Sequence, residues 1–198
     1  MVVIGDLQVP FEDEKACGLL MQFLKDYQPH ILILNGDIID NWDISDYDRV
    51  PDITRIEDEI AKTQSYLNDF RKLLPTSRII FIEGNHEFRW RKYALKRIPA
   101  AYRLMPALPA ILKLDDYGIE WVGTNPKLAK FKDTYINYKG LYIGHFDTVR
   151  KWSAFSAKGI MDNKFISFIT GHNHRLGIHC RATIDGKTRI GVEGGCLC

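Results

Sequence analysis

Residues 31–40 read ILILNGDIID, an apolar run that ends in a glycine and is followed by two aspartates. A short uninterrupted apolar run is typical of a strand buried on both faces. The glycine permits a sharp turn, so the next side chain, that of Asp37, is predicted to point outward from the strand's end. Residues 2–6, VVIGD, have the same order and predict a second strand of this kind.

Five segments of the chain combine a glycine after an apolar run with metal-binding side chains. They are GDLQ at 5–8, GDIID at 36–40, GNHE at 84–87, GHF at 144–146 and GHNH at 171–174. Open α/β sheets place their ligand sites at the carboxyl ends of strands, so we expect the five segments to meet at one place. Carboxylates, imidazoles and amide oxygens are ligands of divalent metals, and the sequence therefore predicts a metal centre.

The segments between these motifs predict the fold class. Apolar residues at helical spacing indicate helices from Ala16 to Tyr27 and from Ile56 to Leu74, each ended by a proline. Further strands are predicted at 78–82, 119–122, 134–138, 141–143, 165–170, 176–184 and 188–193, with Asp185-Gly186 as a hairpin turn. A parallel first half and a more antiparallel second half predict an α/β fold. Its two packed mixed β-sheets are flanked by helices, as an α/β/β/α sandwich.

Composition limits the classes of protein to consider. The 198 residues, 45% of them hydrophobic, predict a single domain over 1–198. A formal net charge of +2 gives no bulk attraction to nucleic acid or membrane. No apolar run approaches the length of about 18 residues that a membrane span needs, so a cytoplasmic protein without a membrane partner is expected. The four cysteines show no regular framework and are expected to be reduced, although Cys196 and Cys198 could bind metal or oxidise.

Seven side chains in the motifs are suited to hold two metal ions. Asp6 and Gln8 lie two apart on an extended segment and can point to the same side. Asp37 can bridge two ions, Asn85 adds a neutral oxygen, and the imidazoles are those of His145, His172 and His174. Two close cations lower the pKa of a shared water and clamp a phosphoryl group, so the predicted reaction is phosphoester hydrolysis by metal-bound hydroxide. His86 is the candidate general acid, and Asp40 is expected to hold and charge its imidazole.

The order and spacing of these motifs, from residue 5 to residue 174, resemble the calcineurin-like metallophosphoesterase superfamily. The resemblance implies that Asp6, Gln8, Asp37 and His174 hold a first metal, and that Asp37, Asn85, His145 and His172 hold a second. Residues 150–158, RKWSAFSAK, are similar to phage-borne members of that superfamily. Gln8 stands where the family pattern has histidine, and an amide oxygen is the weaker donor. Mn²⁺ is therefore the favoured ion, with Fe²⁺, Zn²⁺, Mg²⁺ and Ni²⁺ as alternatives.

The expected substrate is a phosphoester, with a phosphodiester favoured: a nucleotide, a cyclic nucleotide or a nucleic acid. Ser/Thr protein phosphatases have arginines where this chain has Asn41 and Glu83. Residues 87–105 interleave basic and aromatic side chains, as nucleotide binding requires, although an ordinary amphipathic helix would have the same composition. Arg89 is the candidate contact for substrate phosphate, and the acidic loop 43–48 is a candidate rim of the cleft. The alternatives are a phosphomonoesterase or protein phosphatase, and a silent binding scaffold, which the departure at Gln8 would favour.

Overall fold

The computed structural model describes residues 1–48, 50, 53–184 and 186–198, which form two β-sheets and five α-helices. The strands are β1 Val2–Ile4, β2 Ile31–Asn35, β3 Arg78–Ile82, β4 Ile119–Val122, β5 Thr134–Tyr138, β6 Leu141–His145, β7 Ser167–Thr170, β8 Leu176–Ala182 and β9 Thr188–Gly194. The helices are α1 Glu14–Tyr27, α2 Ile56–Leu73, α3 Asn85–Arg97, α4 Leu108–Ile111 and α5 Phe155–Lys164. Short 3₁₀ turns occupy Trp42–Ile44 and Tyr102–Leu104.

The first sheet is wholly parallel and has the order β1-β2-β3-β4. The second has the order β5-β6-β7-β9-β8, with a parallel centre and an antiparallel pair at each edge. Since parallel strands end at the same side of a sheet, the segments that follow β1, β2 and β3 lie together. The segments that follow β6 and β7 lie together for the same reason.

The two sheets pack face to face. Successive side chains of a strand point to opposite sides of its sheet, so every second residue of the central strands lies between the sheets. Ile33 of β2 and Ile80 and Ile82 of β3 pack with Ile143 of β6 between the sheets. The intervening residues of β2 and β3 face α1 and α2 in the largest hydrophobic cluster, where Phe70 is fully buried. Burial of a side chain of that size contributes roughly 1.5–3 kcal/mol.

Helix α5 covers the outer face of the second sheet and completes the layers. Ala157, Ile160 and Met161 of this helix pack against Phe168 of β7. The predicted α/β/β/α sandwich is therefore confirmed. None of the helices within the described residues is both long enough and apolar enough to cross a membrane.

The sequence prediction was wrong about the helices and about one strand of the second half. It missed the short helix α4 and the longer helix α5. The N-cap residue of α5, Ala154, has no capping side chain; instead the buried carboxylate of Glu193, on β9, accepts hydrogen bonds from the amides of Ala154 and Ala157. A cap supplied by a distant strand leaves no local signal. The second error concerns β4, which pairs in parallel with β3 and so belongs to the first sheet.

Other boundaries changed slightly. Strand β7 begins at Ser167, because α5 ends at Lys164 and the next residue, Phe165, has left-handed backbone angles. Strands β8 and β9 pair antiparallel as the hairpin prediction requires, although Asp185 of the predicted turn lies outside the described residues. The chain leaves β8 at Ala182, two residues earlier than predicted.

Glu193→Gln tests the distant helix cap. An amide has only one acceptor oxygen, so one of the two backbone N–H groups loses its partner and the protein should lose about 1–3 kcal/mol of unfolding free energy. Urea denaturation measures the loss. Glu120→Gln, which disrupts the exposed ion pair with Arg78, is the control and should cost less than about 1 kcal/mol. Equal losses in the two variants would contradict the capping role.

Candidate metal centre

The seven predicted ligands follow the carboxyl ends of five strands. Asp6 and Gln8 follow β1, Asp37 follows β2, Asn85 follows β3, His145 ends β6, and His172 and His174 follow β7. Direct contacts between these segments show that they converge. The amide of His172 donates to Asp6 Oδ1 at 2.9 Å, and His145 Nε2 lies 3.1 Å from both Asp37 Oδ2 and Asn85 Oδ1. The structure thus brings all seven residues to the place where the two sheets meet.

The sharp turns at this site are made chiefly by the polar residues themselves. Left-handed backbone angles occur at Asp6, Gln8, Asp37, His172 and His174, with φ between 49° and 77°. Of the five motif glycines, only Gly36 has a positive φ. The sequence prediction that the glycines make the turns therefore holds only at Gly36. Left-handed non-glycine residues are uncommon, and they concentrate at functional sites.

Most of the motif glycines are needed because other motifs approach them closely. A β-carbon at Gly84 would lie 2.3 Å from Asp37 Oδ1, and one at Gly171 would lie 2.6 Å from Asp6 Oδ2. Contacts this short do not occur at real β-carbons. Glycine at these two positions therefore lets the carboxylates occupy their observed places.

One half of the cluster is formed by Asp37, Asn85, His145 and His172. His145 Nδ1 lies 2.9 Å from the carbonyl oxygen of Asn35, and because a carbonyl only accepts, Nδ1 carries the proton. The other ring nitrogen, Nε2, then faces Asp37 and Asn85. Fixing an imidazole through its far nitrogen is the arrangement found around metal-binding histidines. One ligand atom each from Asp37, His145 and His172 lies within 4.8 Å of the others.

The other half is formed by Asp6, Gln8 and His174. His174 Nε2 is 3.4 Å from Asp6 Oδ1 and 3.0 Å from the amide nitrogen of Gln8. The nitrogen of Gln8, and not its oxygen, thus faces the imidazole. Rotation of the amide group would exchange the two atoms and direct the oxygen toward this point.

The residues present fit a divalent cation, and Asp37 provides the test. Its carboxylate is almost fully buried; Oδ1 accepts the amide N–H of His86, whereas Oδ2 has no well-formed hydrogen bond within the described residues and lies 3.1 Å from His145 Nε2. A buried carboxylate costs free energy unless a cation offsets its charge, either a protonated imidazole or a metal ion that displaces that proton. The imidazole nitrogens of His145 and His86 lie 3.1 and 3.7 Å from that oxygen, and the amide oxygen of Asn85 lies 3.1 Å from His145 Nε2. The nitrogen and oxygen ligands that such a cation requires are therefore close together.

Comparison with known proteins agrees with this geometry. The family model for calcineurin-like phosphoesterases matches residues 1–176. The chain belongs to this family. It is therefore placed among the metal-dependent phosphoesterases.

Relatives of this phosphoesterase occur in phages. The Gene 54 proteins of Mycobacterium phages D29 and L5 are 29% and 26% identical to it over 185 residues, which cover 90% of this chain and 70% of each relative. One solved structure aligns over 86% of this chain and 67% of its own length, with 14% identity and a TM-score of 0.34. A likeness at that level carries no functional information.

His86 and Asp40 of this phosphoesterase lie together beside Asp37. His86 Nδ1 is 3.5 Å from Asp40 Oδ2, and His86 Nε2 is 3.7 Å from Asp37 Oδ2. Arg89 lies next to both: Nη1 donates to the carbonyl and to Oδ1 of Asp40, and Nη2 is 2.9 Å from His86 Nε2. Arg89 is therefore bound to the predicted acid pair in this structure. Its predicted contact with substrate phosphate stays a prediction.

The sequence did not show that Glu87 joins two of the motifs. From sequence alone, Glu87 was expected to lie at the start of a helix or beside the metal ligands. Its buried carboxylate accepts from the amides of Gly84, Asp37 and Ile38, at 2.8–2.9 Å, and thereby joins the GNHE and GDIID segments. Burial and the nearby charge of Asp37 raise the pKa of Glu87 to about 7. Asp147 was also missed: its Oδ1 lies 3.1 Å from His172 Nε2.

A cleft of about 590 Å³ opens beside the metal ligands. Asn85, Arg89 and His172 line its inner end, and its walls are formed by Ile44, Asp46, Tyr47, Phe88, Lys92, Ala129, Lys130, Phe131 and Asp147. The acidic loop thus forms one rim, as predicted. Lys92 and Lys96 of α3 both pair with Asp46 of that loop.

Metal affinity should depend on pH through His145. Burial opposes the charge on this imidazole, but the carboxylate of Asp37 outweighs it and raises the pKa to about 10. Below that pH the metal-free ring carries a proton that a metal must displace. Mn²⁺ affinity should therefore rise with pH between about 7 and 8.5, by up to roughly tenfold per pH unit. Calorimetry in buffers of different ionisation enthalpy should detect about one released proton, and a pH-independent affinity would contradict the assignment.

Proposed function

We propose that this phosphoesterase hydrolyses phosphodiesters at a centre of two divalent cations, held by the seven residues described above. The observation that carries the proposal is the position of the buried Asp37 Oδ2, which accepts no well-formed hydrogen bond within the described residues and lies 3.1 Å from His145 Nε2 and 3.7 Å from His86 Nε2. Asp37 would be a ligand of both cations. When bound, the cations would lower the pKa of a water molecule and offset charge on the phosphoryl oxygens.

The protein's own residues would divide the remaining work. Asn35 holds the ring of His145, and the amide of His86 holds Asp37, so two of the ligands are fixed before a metal arrives. His86 lies at the edge of this cluster with an exposed fraction of only 12% for its side chain. We assign it the proton that the leaving alkoxide must receive.

Arg89 would control when His86 can act. A guanidinium only donates hydrogen bonds, so its contact with His86 Nε2 uses that nitrogen as an acceptor. The leaving group needs a proton from the same imidazole. A substrate phosphate that attracts Nη2 of Arg89 would release His86 Nε2, while Nη1 stays bound to Asp40. Substrate binding and proton donation would in this way be linked.

The charges in the cleft favour a diester over a monoester. Lys92 is paired with Asp46 and Arg89 with Asp40, and the wall also has one further cation, Lys130, and one further carboxylate, that of Asp147. A dianionic monoester would meet few uncompensated cations apart from the metals, whereas a diester carries a single charge. The cleft also has room for a second substituent, which Phe88, Phe131 and Tyr47 could contact. Aromatic side chains of this kind stack on nucleobases.

A substrate comparison tests this preference. Hydrolysis of a bis-aryl phosphodiester should exceed that of the matching aryl monoester by about tenfold or more in kcat/KM with Mn²⁺, and chelator should abolish both. A monoester rate equal to or above the diester rate would support the phosphomonoesterase alternative. No metal-dependent turnover of either ester would support the silent scaffold.

His86→Ala tests the assigned acid. Removal of a general acid should lower kcat by about 10²–10⁴-fold for a substrate whose leaving group needs protonation, and by much less for a nitrophenyl ester. His30→Ala is the matched control, because His30 is exposed and precedes the opposite end of β2. An equal loss on both leaving groups would indicate a role in folding or metal binding instead.

A further inference from the structure

Residues 195–198 run beside the first motif and are held there by backbone hydrogen bonds. The amide of Leu197 donates to the carbonyl of Asp6 at 3.0 Å, and the carbonyl of Leu197 accepts from the amide of Asp13 at 2.7 Å. The amide of Gly195 donates to the backbone carbonyl of Arg175 at 2.9 Å. The side chain of Leu197 packs against the largest hydrophobic cluster. This segment therefore has a fixed position next to the metal ligands.

The two cysteines that flank Leu197 point to the other side, toward His174. Cys198 Sγ lies 3.7 Å from His174 Nδ1, and the two sulfurs and one ring nitrogen lie within 4.8 Å of one another. All the cysteines are free thiols. Side chains at positions i and i+2 of an extended segment share a face, which explains why Cys196 and Cys198 both point toward His174.

The spacing of these three atoms suits a tetrahedral cation. With Zn–S and Zn–N bonds of about 2.3 and 2.0–2.1 Å, a tetrahedral site separates sulfur and nitrogen by about 3.6 Å. The observed separation between Cys198 and His174 is 3.7 Å. A cation could thus bind with only small side-chain movements, and solvent could supply a fourth ligand because Cys198 is exposed.

We propose that His174, Cys196 and Cys198 form a binding site for a thiolate-preferring divalent cation such as Zn²⁺, beside the oxygen-rich centre at Asp37. Binding would release the two thiol protons to solvent and form two metal–sulfur bonds and one metal–nitrogen bond. Thiolates select softer cations than carboxylates do, so the two places differ in the metal they prefer.

The shared residue His174 would couple this site to the catalytic centre, a consequence that rests on the proposed function. Nδ1 faces the thiols, whereas Nε2 faces Asp6 and Gln8. A neutral imidazole has one unprotonated nitrogen, so it can be a ligand on one side only. Zn²⁺ at the thiols should therefore weaken binding of the first catalytic metal, for which Gln8 would provide an amide in place of an imidazole.

Cobalt titration of the reduced, metal-free protein tests the site independently of catalysis. Co²⁺ should produce one equivalent of sulfur-to-cobalt charge-transfer absorption in the wild-type protein, and Zn²⁺ should displace it. The double variant C196S/C198S should lose this absorption, and each single variant should reduce it. Cys180→Ser is the matched control and should retain it, because Cys180 is an exposed free thiol on β8.

The activity measurement is separate. Zn²⁺ should inhibit Mn²⁺-dependent hydrolysis in the wild-type and C180S proteins and have at least tenfold less effect on the double variant. Absence of the absorption from the wild-type protein, or its persistence in C196S/C198S, would overturn the proposed site. If the absorption behaves as expected but no ester is hydrolysed, the thiolate site stands and the proposed function fails.

Discussion

The arrangement of this site depends on the buried carboxylate of Asp37. One of its oxygens accepts the amide of His86 at the start of α3, where the partial positive charge of the helix terminus offsets part of its charge. The other oxygen has no hydrogen-bond partner within the described residues. The fold thus offsets part of a buried charge at the helix terminus and leaves the rest to a cation, which is the protonated ring of His145 in the metal-free protein and would be a metal ion when one binds. His145, held by Asn35, is positioned beside that free oxygen.

Burying Glu87 close to Asp37 adds a second constraint on the same loop. Two buried carboxylates repel each other, which is one reason the pKa of Glu87 rises to about 7. The repulsion is offset by the hydrogen bonds that the Glu87 carboxylate accepts from backbone amides, including the amide of Asp37 itself. Without a bound metal, only the backbone amides and the protonated ring of His145 would offset these two neighbouring charges. We expect metal binding to stabilise the fold as well as the reaction, since a ligand that binds only the native state adds to its stability.

Much of the fold could be predicted, because strands and helices with regular apolar spacing bury one face whatever their partners. The proximity of the five glycine segments could also be predicted, since the carboxyl ends of parallel strands lie at the same edge of a sheet. Interactions between distant side chains could not be predicted. The cap that Glu193 gives to α5 depends on tertiary contacts, as does the position of Arg89 between Asp40 and His86. No spacing in the sequence records these contacts.

Gln8 shows how one substitution changes the chemistry on both sides of an imidazole. In the superfamily pattern a histidine would stand there, and its ring nitrogen would be a stronger ligand than an amide oxygen. Here the amide nitrogen faces His174 Nε2, while a thiol lies near His174 Nδ1. Gln8 is a weaker metal ligand beside Nε2, and the thiol of Cys198 lies beside Nδ1. Both features would make His174 a less effective ligand for the catalytic metal. The metal content of this phosphoesterase would then depend on which cation is in excess, because oxygen-rich and sulfur-rich ligands compete for one ring.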